Sequence, residues 1–150
     1  MRQEQPHITA RVAGHSLYVV LRPYAAGYFF ATLACDLLYF ATQDSADRLS
    51  SVVEFGLITK CLLAAGLLLA VLSNIAAFVD FWGERRFGQL PDLGLYACGN
   101  LLVVLLGSYN LGVRLTASGD DFMEAGLILS LSTIFIMVCI PSRAWNRLYR

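Results

Sequence analysis

The sequence predicts an all-α fold: an integral membrane bundle of four antiparallel transmembrane helices, with both termini on the cytoplasmic side. Three observations carry that expectation. The 150 residues are 57% hydrophobic and only 15% charged, with a mean hydropathy of +0.61, which is more apolar surface than a water-soluble domain of this length hides in one core. Four apolar stretches, about 23–42, 52–79, 93–115 and 122–140, are each near or above the roughly 20 residues that cross about 30 Å of hydrocarbon as a helix. None alternates with the period of a barrel strand, and an amide in lipid must find its partner within its own segment, so helices are the solution.

Taken in order, the polar start "MRQEQPHITARVAGHS" lacks the apolar core of a secretion signal, and residues 1–22 read as a short interfacial segment of a chain expected to begin near Met1. Within it, "HSLYVVLRPY" is expected to lie at the membrane surface. Arg22 precedes a proline, which disfavours helical geometry there, and its stem can hold the guanidinium at headgroup level. Helix 1 is expected to start at Pro23, because first-turn amides have no acceptor within the helix. Ser51-Val52-Val53-Glu54 has capping-box spacing and places Ser51 just before helix 2. "QLPDL" offers helix 3 a proline and then Asp92 as cap, "TASGDD" supplies turn residues and negative charge where helix 4 begins, and Pro141 stops helix 4. The short connections make consecutive helices antiparallel neighbours in one domain spanning 1–150. Its tail, 141–150, carries arginines with Trp145 and Tyr149 and suits an anionic lipid surface.

Orientation follows from the arginines. Arg2, Arg11, Arg22, Arg85, Arg86, Arg143, Arg147 and Arg150 fall on the side of the termini, against Arg48 and Arg114 on the other. Positive loops stay inside, which places both termini of this multi-pass chain in the cytoplasm. The net charge of +0 gives no reason to expect nucleic acid. Cys35, Cys61, Cys98 and Cys139 fall one to each apolar segment without a C-x-x-C pair, and are expected to be small buried hydrophobes. Neither a metal-ligand cluster, a Ser-His-Asp set nor a phosphate-binding loop is visible, so catalytic and metal residues are expected to be none and the protein is not expected to be an enzyme.

Polar residues inside the spans are the informative ones. A charge at the centre of a membrane helix costs about 2.5–3.5 kcal/mol on insertion scales and calls for a partner. Asp36 in helix 1 and Lys60 in helix 2 lie at depths within about 3 Å of each other at 1.5 Å per residue, and are expected to form an intramembrane ion pair. That pair reads either as an interhelical clamp or as a proton relay, and the clamp is favoured because helices 3 and 4 offer no mid-membrane carboxylate or histidine. Asn74 and Asn100 are expected to meet as an interhelical polar contact worth about 0.6 kcal/mol. Small residues at four-residue spacing, Gly27/Ala31/Cys35, Gly66/Ala70 and Ser108/Gly112, allow close helix approach within the bundle or against a partner subunit.

The stretches "GHSLYVVLRPYAAGYFF" and "ACDLLYFAT", then "LLAAGLLLAVLSNIAAFVDFWG" and "RRFGQLPDLGLYACGNLLVVLLGSYNLGVRL", cover about residues 13–116. They resemble a family of small bacterial membrane proteins catalogued as domain of unknown function 2231. The resemblance implies a four-span bundle and, through family members fused to cytochrome c or Rieske-type domains, company with electron-transfer machinery. His15, Asp36 and Asp80 match the family pattern. Ser16 stands where it has proline, Tyr18 where it has a second histidine, and Tyr96 where a histidine often opens helix 3.

His15, Tyr18 and Tyr24, with Asp80 and Trp82 from the other cytoplasmic helix end, are the candidate cofactor-binding residues, lining a shallow site for a lipid or quinone headgroup. The plainer reading of the same aromatic residues is interfacial anchoring. The expected function is a non-catalytic accessory or anchoring subunit of a membrane redox complex, in contact with lipid and with partner membrane proteins or its own copies. Two alternatives stand beside it: an electron-transfer subunit binding haem b or quinone, and a small ion or proton transporter working as an oligomer.

Overall fold

The computed structural model describes residues 11–12, 15–42, 48–83, 92–116 and 121–139. A two-residue antiparallel ribbon, β1 (Arg11–Val12) with β2 (His15–Ser16), pairs Arg11 with Ser16 and Val12 with His15. Four helices follow: α1 (Leu17–Ala41), α2 (Arg48–Gly83), α3 (Asp92–Thr116) and α4 (Asp121–Cys139). The fold is an all-α bundle, as the hydropathy pattern requires. Each helix packs on its neighbours in chain order and α4 closes onto α1; packing is densest within the α1–α2 and α3–α4 pairs.

Three boundaries differ from the sequence reading. α1 begins at Leu17 and runs through Pro23, so the stretch before the proline is helical rather than interfacial coil. A proline inside a helix removes one backbone bond, a loss that membrane helices tolerate because neighbouring groups re-satisfy the freed carbonyl. Here the extra turn also buries Tyr18, which is only 2% exposed. α2 likewise starts at Arg48, one turn before the expected cap at Ser51, and continues to Gly83.

Three helices are long and apolar enough to cross a membrane, over Val20–Ala41, Glu54–Val79 and Ala97–Thr116; the fourth apolar stretch, Glu124–Cys139, is shorter. Only 28% of the most apolar 18 residues of each long span is buried inside the bundle. What faces outward is large and apolar: Phe135 at 69% exposure, with Leu57, Leu68, Leu101 and Ile128 also exposed. Contiguous apolar surface of that extent is unfavourable in water and is what a bilayer solvates. The same geometry corrects the expectation for the cysteines. Cys61, Cys98 and Cys139 are exposed and Cys35 is half-buried, all four free, because in lipid an apolar side chain gains nothing further by turning inward.

The core is a column of Ala25, Phe29, Leu63, Ala70, Val103 and Ile134, drawn from all four helices. A second cluster gathers around Tyr39, whose ring meets Phe40 edge-on at 5.4 Å and Phe55 at 6.3 Å. Most hydroxyls in the spans bond to their own helix one turn back, as Thr32 does to the Tyr28 carbonyl at 2.9 Å, Thr59 to Phe55 at 2.9 Å and Thr133 to Leu129 at 2.8 Å. These side chains satisfy themselves locally.

The stripes of small residues divide by direction. Gly66 and Ala70 face the core, and a Cβ placed at Gly66 would sit 2.9 Å from Tyr28 Cβ. Gly27 is exposed and Gly112 half-buried, with nothing within 4 Å of a Cβ at either, and Ser108, one turn before Gly112 on α3, is exposed. Gly66→Ala should therefore force α1 and α2 apart and lower stability by about 1–3 kcal/mol, the usual cost of overpacking against atoms that cannot rotate away. A denaturant titration in bicelles measures it; an unchanged midpoint would show that the two helices do not approach this closely.

Candidate functional site: a buried polar network and a cleft between the hairpins

The polar chemistry inside the bundle is concentrated in two places, one toward each end. At the end holding the α1–α2 and α3–α4 turns, Asp36 and Arg114 form an ion pair, Arg114 Nη2 donating to Asp36 Oδ2 at 2.6 Å, with both side chains 0% exposed. Ser130 Oγ donates to the same carboxylate oxygen at 2.9 Å. Arg114 Nε donates to Asn110 Oδ1 at 2.8 Å, and Asn110 Nδ2 donates to Ser130 Oγ at 3.1 Å and to the Gly126 carbonyl at 3.4 Å. The four side chains close a ring that ties α1, α3 and α4 together.

Helical spacing builds it. Asn110 and Arg114 are one turn apart on α3, as Gly126 and Ser130 are on α4, so each pair shares a face. Side chains on a helix lean toward its N-terminus; Arg114, two residues before the end of α3, therefore points back into the bundle instead of out past the helix end. Gly126 makes the room. A Cβ there would lie 2.5 Å from Arg114 Nη2 and 2.8 Å from its Cζ. Chemically the ring is a clamp: two opposite charges, each held by further hydrogen bonds, with no exposed surface.

Toward the other end, a cleft between the two hairpins holds a half-open space of about 30 Å³. Ala25, Phe29, Ala70, Val103 and Met137 form its apolar floor, and Tyr18, Arg22, Ser73, Asn74 and Asn100 its polar wall. Ser73 is buried, and its Oγ has no hydrogen-bond partner among the described residues. The Arg22 guanidinium sits 5.8 Å from the centre of the Tyr18 ring.

A bundle of apolar helices with a sealed charged clamp is the architecture of a membrane-embedded protein, and the sequence comparison agrees. The profile of the DUF2231 family, described as a predicted membrane protein, matches residues 14–144. The chain belongs to the DUF2231 family. No curated protein and no solved structure matches it.

In this DUF2231 protein Asp36 has an ion-pair partner that the sequence pattern did not point to. The cation in contact with Asp36 is Arg114, whereas Lys60 lies half-buried on α2, outside the ring of four. Arg114 belongs to the clamp and not to the loop charges with which its place near a helix end groups it. Asn74 and Asn100, both half-buried, line the same cleft.

Of the expected cofactor-binding set, Tyr18 and Tyr24 are the members whose side chains are described. Tyr18 is buried in the cleft wall while Tyr24, 63% exposed, faces out of the bundle. His15 has its backbone in β2 and Asp80 and Trp82 theirs in α2, but these three side chains lie outside the described residues, as does the tail at 141–150.

Sequence reading passed over Arg114, Asn110, Ser130 and Gly126. The available signal was the i, i+4 recurrence of Asn110 with Arg114 on one apolar helix and of Gly126 with Ser130 on the next. Asn110→Leu should cost about 1–3 kcal/mol, since it leaves Arg114 Nε without its acceptor inside the bundle. The same bicelle titration checks this, and a cost below a few tenths would mean that the ring is not cooperative.

Proposed function

We propose that this protein is a non-catalytic accessory or anchoring subunit embedded in the inner membrane of a bacterium, with both termini cytoplasmic, associated with a membrane redox complex. The observation that carries the subunit role is the outward small-residue surface. Gly27 and Gly112 have open space where a Cβ would stand, so helices of another chain can approach the backbone there, and the packing of this bundle does not explain these glycines. Asp36 and Arg114 are held together by direct contact and by Ser130 and Asn110, which favours a clamp over a conducting path. The redox association rests on the family resemblance, and the orientation on the distribution of arginines.

Gly27→Leu and Gly112→Leu test the reading. The isolated bundle should melt within about 1 kcal/mol of the parent, because a Cβ at either position meets nothing within 4 Å and glycine inside a helix costs about that much by itself. Native purification from membranes in mild detergent should show co-migrating redox protein with the parent chain, and loss of it with the variants. A parent that purifies alone as a monomer would overturn the proposal.

A further inference from the structure

We infer that the cleft between the hairpins is a binding site for one phospholipid of the surrounding bilayer, which inserts an ester carbonyl oxygen between Ser73, Asn74 and Asn100. This goes beyond the subunit role and does not depend on it.

The argument begins with the orphaned hydroxyl. Ser73 is 3% exposed and its Oγ has no hydrogen-bond partner among the described residues, although other hydroxyls in the spans bond back to their own helix. A buried polar atom left unpaired is costly and calls for a partner. Ser73 lines the cleft beside the carboxamides of Asn74 and Asn100, with Arg22 and Tyr18 completing the polar wall. Every one of these side chains can donate a hydrogen bond and none is a carboxylate. The cleft surface as a whole is largely apolar, so the complementary ligand is an apolar molecule carrying an acceptor oxygen.

Size narrows the choice. A half-open space of about 30 Å³ admits one oxygen-sized group, since a water needs some 10–15 Å³ on this measure. It is far below the roughly 300–1,000 Å³ of a pocket that takes up a drug-sized ligand. An ester carbonyl meets the limit, because only its oxygen enters while the rest of the lipid stays on the bundle surface.

Depth agrees. Asn100 lies three residues inside the apolar span that begins at Ala97, and Ser73 six residues inside the one that ends at Val79, about 5 and 9 Å at 1.5 Å per residue. That is the boundary between headgroups and acyl chains. Arg22, two residues inside its own span at Val20, stands nearer the surface, where the phosphodiester lies.

The test is native mass spectrometry of the full-length protein, extracted from its membranes and separately from nanodiscs of phosphatidylglycerol. The parent should keep one phospholipid under activation that strips the remaining lipid. Ser73→Ala with Asn100→Leu should lower that retention by at least about fivefold, the effect of losing a single hydrogen bond of about 1 kcal/mol. Equal retention by parent and variant, a bare parent, or an isoprenoid quinone as the retained mass would each overturn the assignment. Should the double variant fail to fold, the parent decides by itself. A phosphatidylglycerol carrying a diazirine beside its ester should label peptides containing 70–74 and 100–103, and labelling confined to other segments would equally overturn it.

Discussion

Asp36→Leu is expected to destabilise the bundle by about 3–5 kcal/mol, the cost of leaving a buried charge without its partner. Arg114, 0% exposed, would keep its positive charge inside the bundle with Asn110 and Ser130 as its remaining contacts. Neutral acceptors do not replace a carboxylate at 2.6 Å. Arg114→Met should be similarly damaging, since it strands the carboxylate. The double variant should recover much of the loss, because removing both charges also removes both desolvation penalties. A double-mutant cycle read by denaturant titration in bicelles should give a coupling of about 1–3 kcal/mol for Asp36 with Arg114, larger than for Asp36 with Lys60→Met. Additive single effects for Asp36 and Arg114 would show that the pair does not act as a clamp.

The second large effect is expected at Gly126. A valine there places its Cβ 2.5 Å from Arg114 Nη2 and 3.1 Å from its Nε. The end of an arginine is ordinarily free to swing aside, but this one is held by Asp36, Asn110 and Ser130. Moving it breaks the ring. Gly126→Val should therefore cost about 2–4 kcal/mol, an overpacking term together with at least one lost charged hydrogen bond. Gly126→Val in an Arg114→Met background separates the two contributions: the cost should fall to roughly 1 kcal/mol or less once the guanidinium is gone. A penalty that persists there would place the obstacle in the α4 backbone and not in the arginine.

Legibility differed sharply between elements. The four helices follow from apolar length alone, and α3 and α4 begin and end within a residue of where caps and turn residues put them. α1 does not, because proline's local preference for a first turn competes with burial of Tyr18 in the cleft, and burial is a property of the neighbours. The small-residue stripes were legible as close-approach surfaces but not by direction: spacing on one helix is the same for Gly66, which meets Tyr28, and for Gly27, which meets nothing. Asp36 was legible as a residue in need of a partner, and its partner was not.

By itself the sequence determined the solvent of this protein, its helical class and the presence of a buried charge near one end of the first helix. Those are sums over segments: hydropathy, length and the requirement that lipid-embedded amides pair within their own helix. Only the tertiary structure decided that Arg114 answers Asp36, that Gly126 yields the space, and that Ser73, Asn74 and Asn100 share one cleft. The physical reason is rotation. Depth along a helix can be counted from residue numbers, but which face meets which neighbour depends on how four helices turn about their axes, and that is fixed by packing among residues far apart in the chain.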